Sequence, residues 1–221
     1  MKKISKKNKK KINNIINYIN EIKKTIILVI SSFLFIWITY AIFNDKITEL
    51  DNRIHSYILG IRNDSLTNIL ILITNISSAY ALIVLSVILL ASMKNKKTPL
   101  LISLNLICAF ITNQTAKLIF TRPRPFGINL IEESGFSYPS GHAMVSMSYF
   151  GFIAYLLYKN QKNKFTKTIL IITIFLTIIT IGFSRIYLGV HYLSDVIGGF
   201  LLSIVYLIIY IKITKVNKID N

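Results

Sequence analysis

The chain has 221 residues, a mean hydropathy of +0.56 and a formal net charge of +17, with 53% apolar but only 16% charged residues. That pairing does not describe a soluble globule; it describes apolar stretches in lipid with charge gathered at their ends. One cysteine (Cys108) excludes an internal disulfide or cysteine metal cage, three histidines exclude a histidine-rich metal site, and nine glycines and four prolines exclude collagen-like or Pro/Gly-rich disordered classes.

Residues 1–24 read as a Lys/Asn-rich cytoplasmic tail, with the Lys2–Lys11 run lying on anionic lipid. Stretches free of Lys, Arg, Asp and Glu follow at 25–44, 65–93, 98–116, 134–158, 168–184 and 196–211. A helix needs about 20 apolar residues to cross a bilayer. The first four stretches meet that length, Ile186–Val190 extends the fifth, and the sixth is short. Runs such as Ile26–Trp37 and Ile169–Ile181 have no polar face to show water, which argues against a soluble helical core. The first span has a long basic region before it and no small-x-small site after it, so it reads as a retained signal anchor.

Between the first two spans, Ile47, Leu50, Ile54, Tyr57, Ile58 and Ile61 fall at helical spacing and predict a short amphipathic outer helix over 45–62. Asp64 or Ser65 is placed to cap the second span. The longest irregular stretch, 121–140, holds Pro123, Pro125 and Pro139, which stiffen it. The predicted fold is therefore all-α: an integral membrane bundle of six transmembrane helices with both termini cytoplasmic. Its membrane domain runs over 25–212, with the motif-bearing core at 98–211 and a short cytoplasmic tail at 213–221.

With a cytoplasmic N-terminus, the inner segments hold 19 lysines against Glu21 and Asp220. The outer segments hold seven basic and seven acidic residues, including all five arginines. The whole net charge thus sits on one face, which fixes the orientation. Arginine offers a planar fork for oxyanions, whereas lysine anchors to lipid headgroups without needing geometry, so the outer face is where chemistry is expected. The basic residues flank membrane spans and match no nucleic-acid motif, so no nucleic-acid partner is expected. GxGxxG, P-loop and HExxH motifs do not occur.

Three clusters fall at outer helix ends: Lys117 through Arg122, Arg124 and Pro125; Tyr138-Pro139-Ser140-Gly141-His142; and Ser184-Arg185 through His191 to Asp195. Lys117, Arg122, Arg124 and Arg185 gather cations at a low-dielectric boundary, which only a polyanion justifies. Ser140 and Gly141 open a helix whose free N–H groups and dipole favour an anion, and Gly141 permits close approach. His191 and Asp195 are four apart and would share one helix face. The carboxylate would fix the imidazole tautomer and leave the other nitrogen free to attack. His142 would protonate a leaving group from the opposite side.

The pattern K-x6-R-P, then P-S-G-H, then S-R-x5-H-x3-D resembles the signature of the type 2 phosphatidic acid phosphatase superfamily, which includes lipid phosphate phosphatases and the vanadium haloperoxidases. The three parts occur in order between residues 117 and 195. The resemblance implies a metal-independent, cofactor-free membrane lipid phosphatase. Its nucleophile would be His191, forming a phosphohistidine, with Asp195 orienting it and His142 as the acid. Lys117, Arg124 and Arg185 would clamp phosphate, with Ser140 and Gly141 adding hydrogen bonds. The substrate would be a lipid phosphomonoester or pyrophosphate (undecaprenyl diphosphate, phosphatidylglycerophosphate or phosphatidic acid) in the cell membrane, met on the extracytoplasmic side. The Ile/Lys/Asn-rich, short-looped sequence looks bacterial and favours the first two. A vanadate-dependent haloperoxidase, or a non-catalytic polyprenyl-phosphate carrier or membrane scaffold, would be the alternatives. Leu193 stands where many relatives have proline.

Other residues have plainer expectations. His55 reads as an interfacial surface histidine and Cys108 as mid-span packing. Arg122, off the K-x6-R-P register, reads as either a headgroup contact or a second phosphate contact. Asn113 and Gln114 read as buried interhelical hydrogen bonders, Gly198-Gly199 as a close-packing step, and Tyr138, Tyr149, Tyr187 and Tyr192 as interface aromatics.

Overall fold

The structure, a computed structural model, describes residues 6–127 and 129–216. Of the two expected tails, residues 1–5 and 217–221 lie outside that range. The described residues form eight helices and no strand. These are α1 (Lys6–Phe43), α2 (Thr48–Gly60), α3 (Asp64–Asn75), α4 (Ala79–Ser92), α5 (Lys97–Phe120), α6 (Gly141–Asn160), α7 (Lys164–Tyr187) and α8 (Leu193–Thr214). α1 begins well inside the segment read as a tail, because once a long apolar span has formed a helix, each added residue extends it at little cost.

Among the described residues, four helices are long and apolar enough to cross a membrane: α1 over Tyr18–Phe43, α5, α7 and α8. The stretch at 65–93, expected as one span, is two helices bent by 46°. Serine causes the break by offering the backbone local partners. Ser77 Oγ donates to the Thr74 carbonyl, and Ser78 Oγ accepts from the Ala81 N–H and caps α4. α3 is capped by Asn63, which accepts from the Leu66 N–H at 2.9 Å; neither Asp64 nor Ser65 does this.

α6 is the hub, packed against α5, α7 and α8, with α1 on α8, α3 on α7 and α4 on α5. It falls short of the four spans in apolar character, and its polar side chains meet partners inside the bundle. Tyr149 and Ser86 share a hydrogen bond at 3.0 Å, and Ser148 and Ser203 share one at 2.8 Å. Tyr138, Tyr149 and Tyr187 are fully buried rather than interfacial. Tyr138 stacks on Phe35, and its hydroxyl lies 2.7 Å from Thr39 Oγ1, which ties the loop before α6 to α1. Cys108 and Gln114 are exposed instead of packing inside.

Gly199 brings α8 against the start of α6, as expected of the glycine pair. A Cβ there would lie 2.8 Å from the Ser140 carbonyl oxygen, a backbone atom that cannot swing away. Gly199→Ala is therefore expected to destabilise the protein by about 1–3 kcal/mol. Thermal unfolding in detergent micelles reads this; an unchanged midpoint would show that α6 and α8 have slack at this point.

α2 forms as the expected short helix, but its inward face is not purely apolar. Ile47, Ile54 and Ile58 pack inward, and Asp51 on the same face is 2% exposed, while Leu50, Tyr57 and Ile61 point out.

Candidate functional site

The site lies where α5 ends, α6 starts, and α7 turns into α8. The loop 121–140 crosses this end and is pinned at several points. Ser137 N–H donates to the Arg122 carbonyl (2.8 Å), Leu130 N–H to Leu188 (3.0 Å) and Ser140 N–H to Asp195 (3.0 Å). Arg124 threads the loop together, donating to the carbonyls of Gly135 (3.0 Å), Ser134 (2.9 Å) and Val190 (2.9 Å).

His191 and Asp195 meet, but not on one helix face as spacing suggested. α7 ends at Tyr187, Gly189 turns the chain at φ +80°, and the Val190 and His191 N–H groups both donate to the Arg185 carbonyl. α8 then starts at Leu193, so His191 precedes the helix and Asp195 lies in its first turn. Asp195 Oδ2 accepts from the Tyr192 N–H (2.8 Å), holding the turn that presents His191. That carboxylate oxygen is 3.5 Å from His191 Nδ1.

Ser137 completes this arrangement, and sequence reasoning missed it. Its hydroxyl donates to Asp195 Oδ2 at 2.5 Å and lies 3.2 Å from His191 Nδ1. On the far side of the ring, Nε2 is 3.3 Å from Arg124 Nη1. His191 is 1% exposed, and burial pushes its pKa down to about 3 against the opposing pull of Asp195. The imidazole is thus neutral at pH 7, with one nitrogen on the carboxylate side and the other turned toward Arg124.

A cavity of about 600 Å³ opens at this point. Lys117, Arg124, Gly141, His142 and His191 all line it, so residues from all three sequence clusters come together. Its opposite wall is apolar and includes Ile83 of α4 and Leu106, Ile107 and Phe110 of α5. Ile83, Ile107 and Phe110 are also exposed on the outer surface of the bundle, so the cavity is flanked by residues that would meet lipid. Lys117 Nζ donates to the Phe136 carbonyl at 2.7 Å, and a Cβ on Gly141 would press on Asn113 Oδ1 at 3.1 Å.

Three of the expected residues sit behind the cavity wall. Asp195 is fully buried and faces His191 rather than the cavity. Arg185 is 1% exposed, donates to Thr74 Oγ1 (2.9 Å) and pairs with Glu133, which does line the cavity. Ser140 is fully buried, and its hydroxyl has no hydrogen-bond partner among the described residues.

Arg122 does not line the cavity. It is 8% exposed and bridges two carboxylates: Nη1 donates to Asp195 Oδ1 (2.6 Å) and to Ser194 Oγ (2.7 Å), and Nη2 donates to Asp51 Oδ2 (2.9 Å). Its guanidinium also lies over the Tyr192 ring, 4.5 Å from the centroid. Burial opposes its charge, but Asp195 and Asp51 outweigh burial and hold it above its ordinary value. Asp51 also accepts from the Ser194 N–H (3.0 Å) and from its hydroxyl. His55, one turn along α2, is half-buried with its ring 6.2 Å from that of Tyr192, rather than freely exposed.

Comparison with known proteins identifies the family. A family model for the PAP2 superfamily matches residues 98–219. Phosphatidylglycerophosphatase B of Bacillus subtilis is 34% identical over 181 residues, covering 79% of this chain and 89% of that protein. The undecaprenyl-diphosphatase BcrC of the same organism is 29% identical over 163 residues, covering 71% and 78%. The crystal structure of a transmembrane PAP2-type phosphatidylglycerolphosphate phosphatase from Bacillus subtilis superposes with a TM-score of 0.78 at 28% identity. It covers 88% of this chain and 98% of that one. With its several apolar helices, and with the family's pattern over more than half its length, this multi-pass membrane protein belongs to the PAP2 superfamily.

Proposed function

We propose that the chain hydrolyses the terminal phosphate of a membrane lipid through a phosphohistidine on His191. The observation that carries this is a buried, neutral imidazole beside a cation-lined cavity with a carboxylate and a hydroxyl behind it. His191 Nε2 attacks phosphorus as the bond to the leaving oxygen breaks, and His142 gives that oxygen its proton. Lys117, Arg124 and the Gly141 end of α6 face the phosphoryl oxygens, with Arg185 and the unpartnered Ser140 hydroxyl behind them. Their positive charge stabilises the in-line transition state. Water then attacks the phosphohistidine, releasing inorganic phosphate and restoring the imidazole.

The candidate lipids are phosphatidylglycerophosphate and undecaprenyl diphosphate, for which the relatives are named, and phosphatidic acid. The apolar wall between α4 and α5 suits a lipid chain arriving sideways from the bilayer. α6, with 20 residues and a largely satisfied polar interior, serves as the sixth span beside α1, the bent α3–α4 pair, α5, α7 and α8. The site faces the extracytoplasmic side. Supporting this, Lys97, Lys159, Lys164 and Lys212 lie at the opposite ends of α5 to α8 from the site.

The test is phosphate release from the three lipids, each presented in the same detergent. Turnover is expected to persist undiminished in excess EDTA and to be inhibited competitively by vanadate. Loss of activity in EDTA would replace the arginine-and-lysine mechanism with a metal-assisted one. Bromide oxidation on adding vanadate would point to haloperoxidase chemistry.

A further inference from the structure

One carboxylate in the cavity does not hold phosphate: Glu133. Its neighbour Glu132 is exposed, but Glu133 turns inward from the loop 121–140. Arg124 fixes that loop by donating to the carbonyls of the next two residues, Ser134 and Gly135. Glu133 Oε1 accepts from Arg185 Nη2 and lies 3.9 Å from His142 Nδ1, while Oε2 lies 3.8 Å from Arg124 Nη2.

His142 stands among cations on every side. Lys117 faces it from α5, Arg124 from the loop and Arg185 from α7, and the neutral His191 ring comes from the α7–α8 turn. An imidazolium among three fixed cations is repelled by all of them unless an anion stands beside it, and low local dielectric sharpens this. A phosphate dianion is drawn to those same cations and competes with Glu133 for them. As Arg185 and Arg124 turn to phosphate, the carboxylate loses its partners there and keeps His142 as the nearest positive group. It meets the ring at Nδ1, which leaves Nε2–H as the proton for the departing oxygen.

We infer that Glu133 is the positioning carboxylate of His142, holding its Nδ1 proton so that Nε2–H can be delivered to the leaving group. The site then contains two imidazole–carboxylate pairs with opposite duties: His191 with Asp195 for attack, and His142 with Glu133 for proton donation. This rests on His142 being the acid, and the experiment separates the two claims.

The full-length protein in detergent is assayed for kcat/KM, which reports steps up to leaving-group departure, on two substrates. Dioctanoyl phosphatidic acid must have its alkoxide protonated; p-nitrophenyl phosphate releases a phenolate that departs without a proton. Glu133→Gln is expected to lower kcat/KM about 10²-fold on the alkyl ester and under about 10-fold on the aryl ester. On the alkyl ester, the alkaline limb of the pH profile should also move to lower pH. Glu133→Asp, which keeps the charge on a shorter arm, should fall between wild type and Glu133→Gln, and it carries the test if Glu133→Gln does not fold. His142→Ala should show the same selectivity for the alkyl ester. Equal losses on both esters for the Glu133 variants, with His142→Ala still selective, would make Glu133 only a counter-ion of Arg185 and overturn the inference alone. Equal losses for His142→Ala would remove the acid itself, and the inference with it.

Discussion

His191→Ala is expected to lower lipid-phosphate turnover by about 10⁴-fold or more and to abolish any trapped phosphoenzyme. The size of the effect follows from the site having one suitable nucleophile. His191 is the imidazole held neutral between a carboxylate on Nδ1 and a cation near Nε2. Lys117 lies among other cations with its ammonium bound to a carbonyl, so it serves as charge and not as a nucleophile. Removing the ring strands no polar neighbour, because Ser137, Asp195 and Arg124 keep other partners. The folded yield of the variant should therefore stay close to wild type. Rapid quenching with lipid labelled at phosphorus should leave acid-labile, base-stable label on the wild-type chain and none on the variant. His142→Ala, by contrast, should still accept label from an aryl phosphate, since attack does not need the acid when the leaving group is good. Full hydrolysis by purified His191→Ala would mean that another group attacks, and that His191 and Asp195 are structural.

The residues that could be found from sequence are those whose chemistry repeats close along the chain. Lys117 and Arg124, Ser140 to His142, and Arg185 to Asp195 each lie within a short segment at a helix end, so local spacing already constrains what they can reach. Asp51, Glu133 and Ser137 were not found, and each meets its partner only in the folded bundle. Asp51 reaches Ser194 across 143 residues of chain, and Ser137 reaches Asp195 across 58. A weak trace of Asp51 did exist. It falls in helical register with Ile47, Ile54 and Ile58, the face that proved to be buried, and an acid on such a face needs a partner. For Glu133 the trace was position alone, an acid in a loop beside four cations. Hydropathy found the apolar stretches but not which side of each helix faces the bundle, because lipid is as apolar as a core. Cys108 is exposed for that reason, and the break at Ser77-Ser78 was invisible because serine does not lower the mean enough to interrupt a long apolar run.

Arg122→Leu is expected to destabilise the protein by about 3–5 kcal/mol and, in the fraction that folds, to lower turnover by about 10²-fold. Arg122 touches no cavity atom, so both effects are indirect. Its fork spans two buried carboxylates, Asp51 at 2% exposure and Asp195 at 0%. Leucine would strand both, and an uncompensated buried charge is far more costly than the pair was favourable. Asp195 Oδ1 would then lose its cation and turn toward another donor, which moves Oδ2 off His191 Nδ1 and frees the imidazole tautomer. Arg122→Lys should not rescue either property, since a single ammonium cannot place one N–H on Asp195 and another on Asp51 in the same plane. Asp51→Asn alone should cost less, because Ser194 still engages its side chain. Combined with Arg122→Leu it should cost less than the sum of the two, since one stranded charge has been removed. Thermal unfolding in micelles and kcat for the four proteins complete this cycle. If Arg122→Leu kept the wild-type midpoint and turnover, the Asp51–Arg122–Asp195 bridge would be a surface-like ion pair rather than the support of the nucleophile, and α2 would have no part in the chemistry. Strict additivity would mean instead that Arg122 holds Asp195 without help from Asp51, and that α2 docks on the site without steering it.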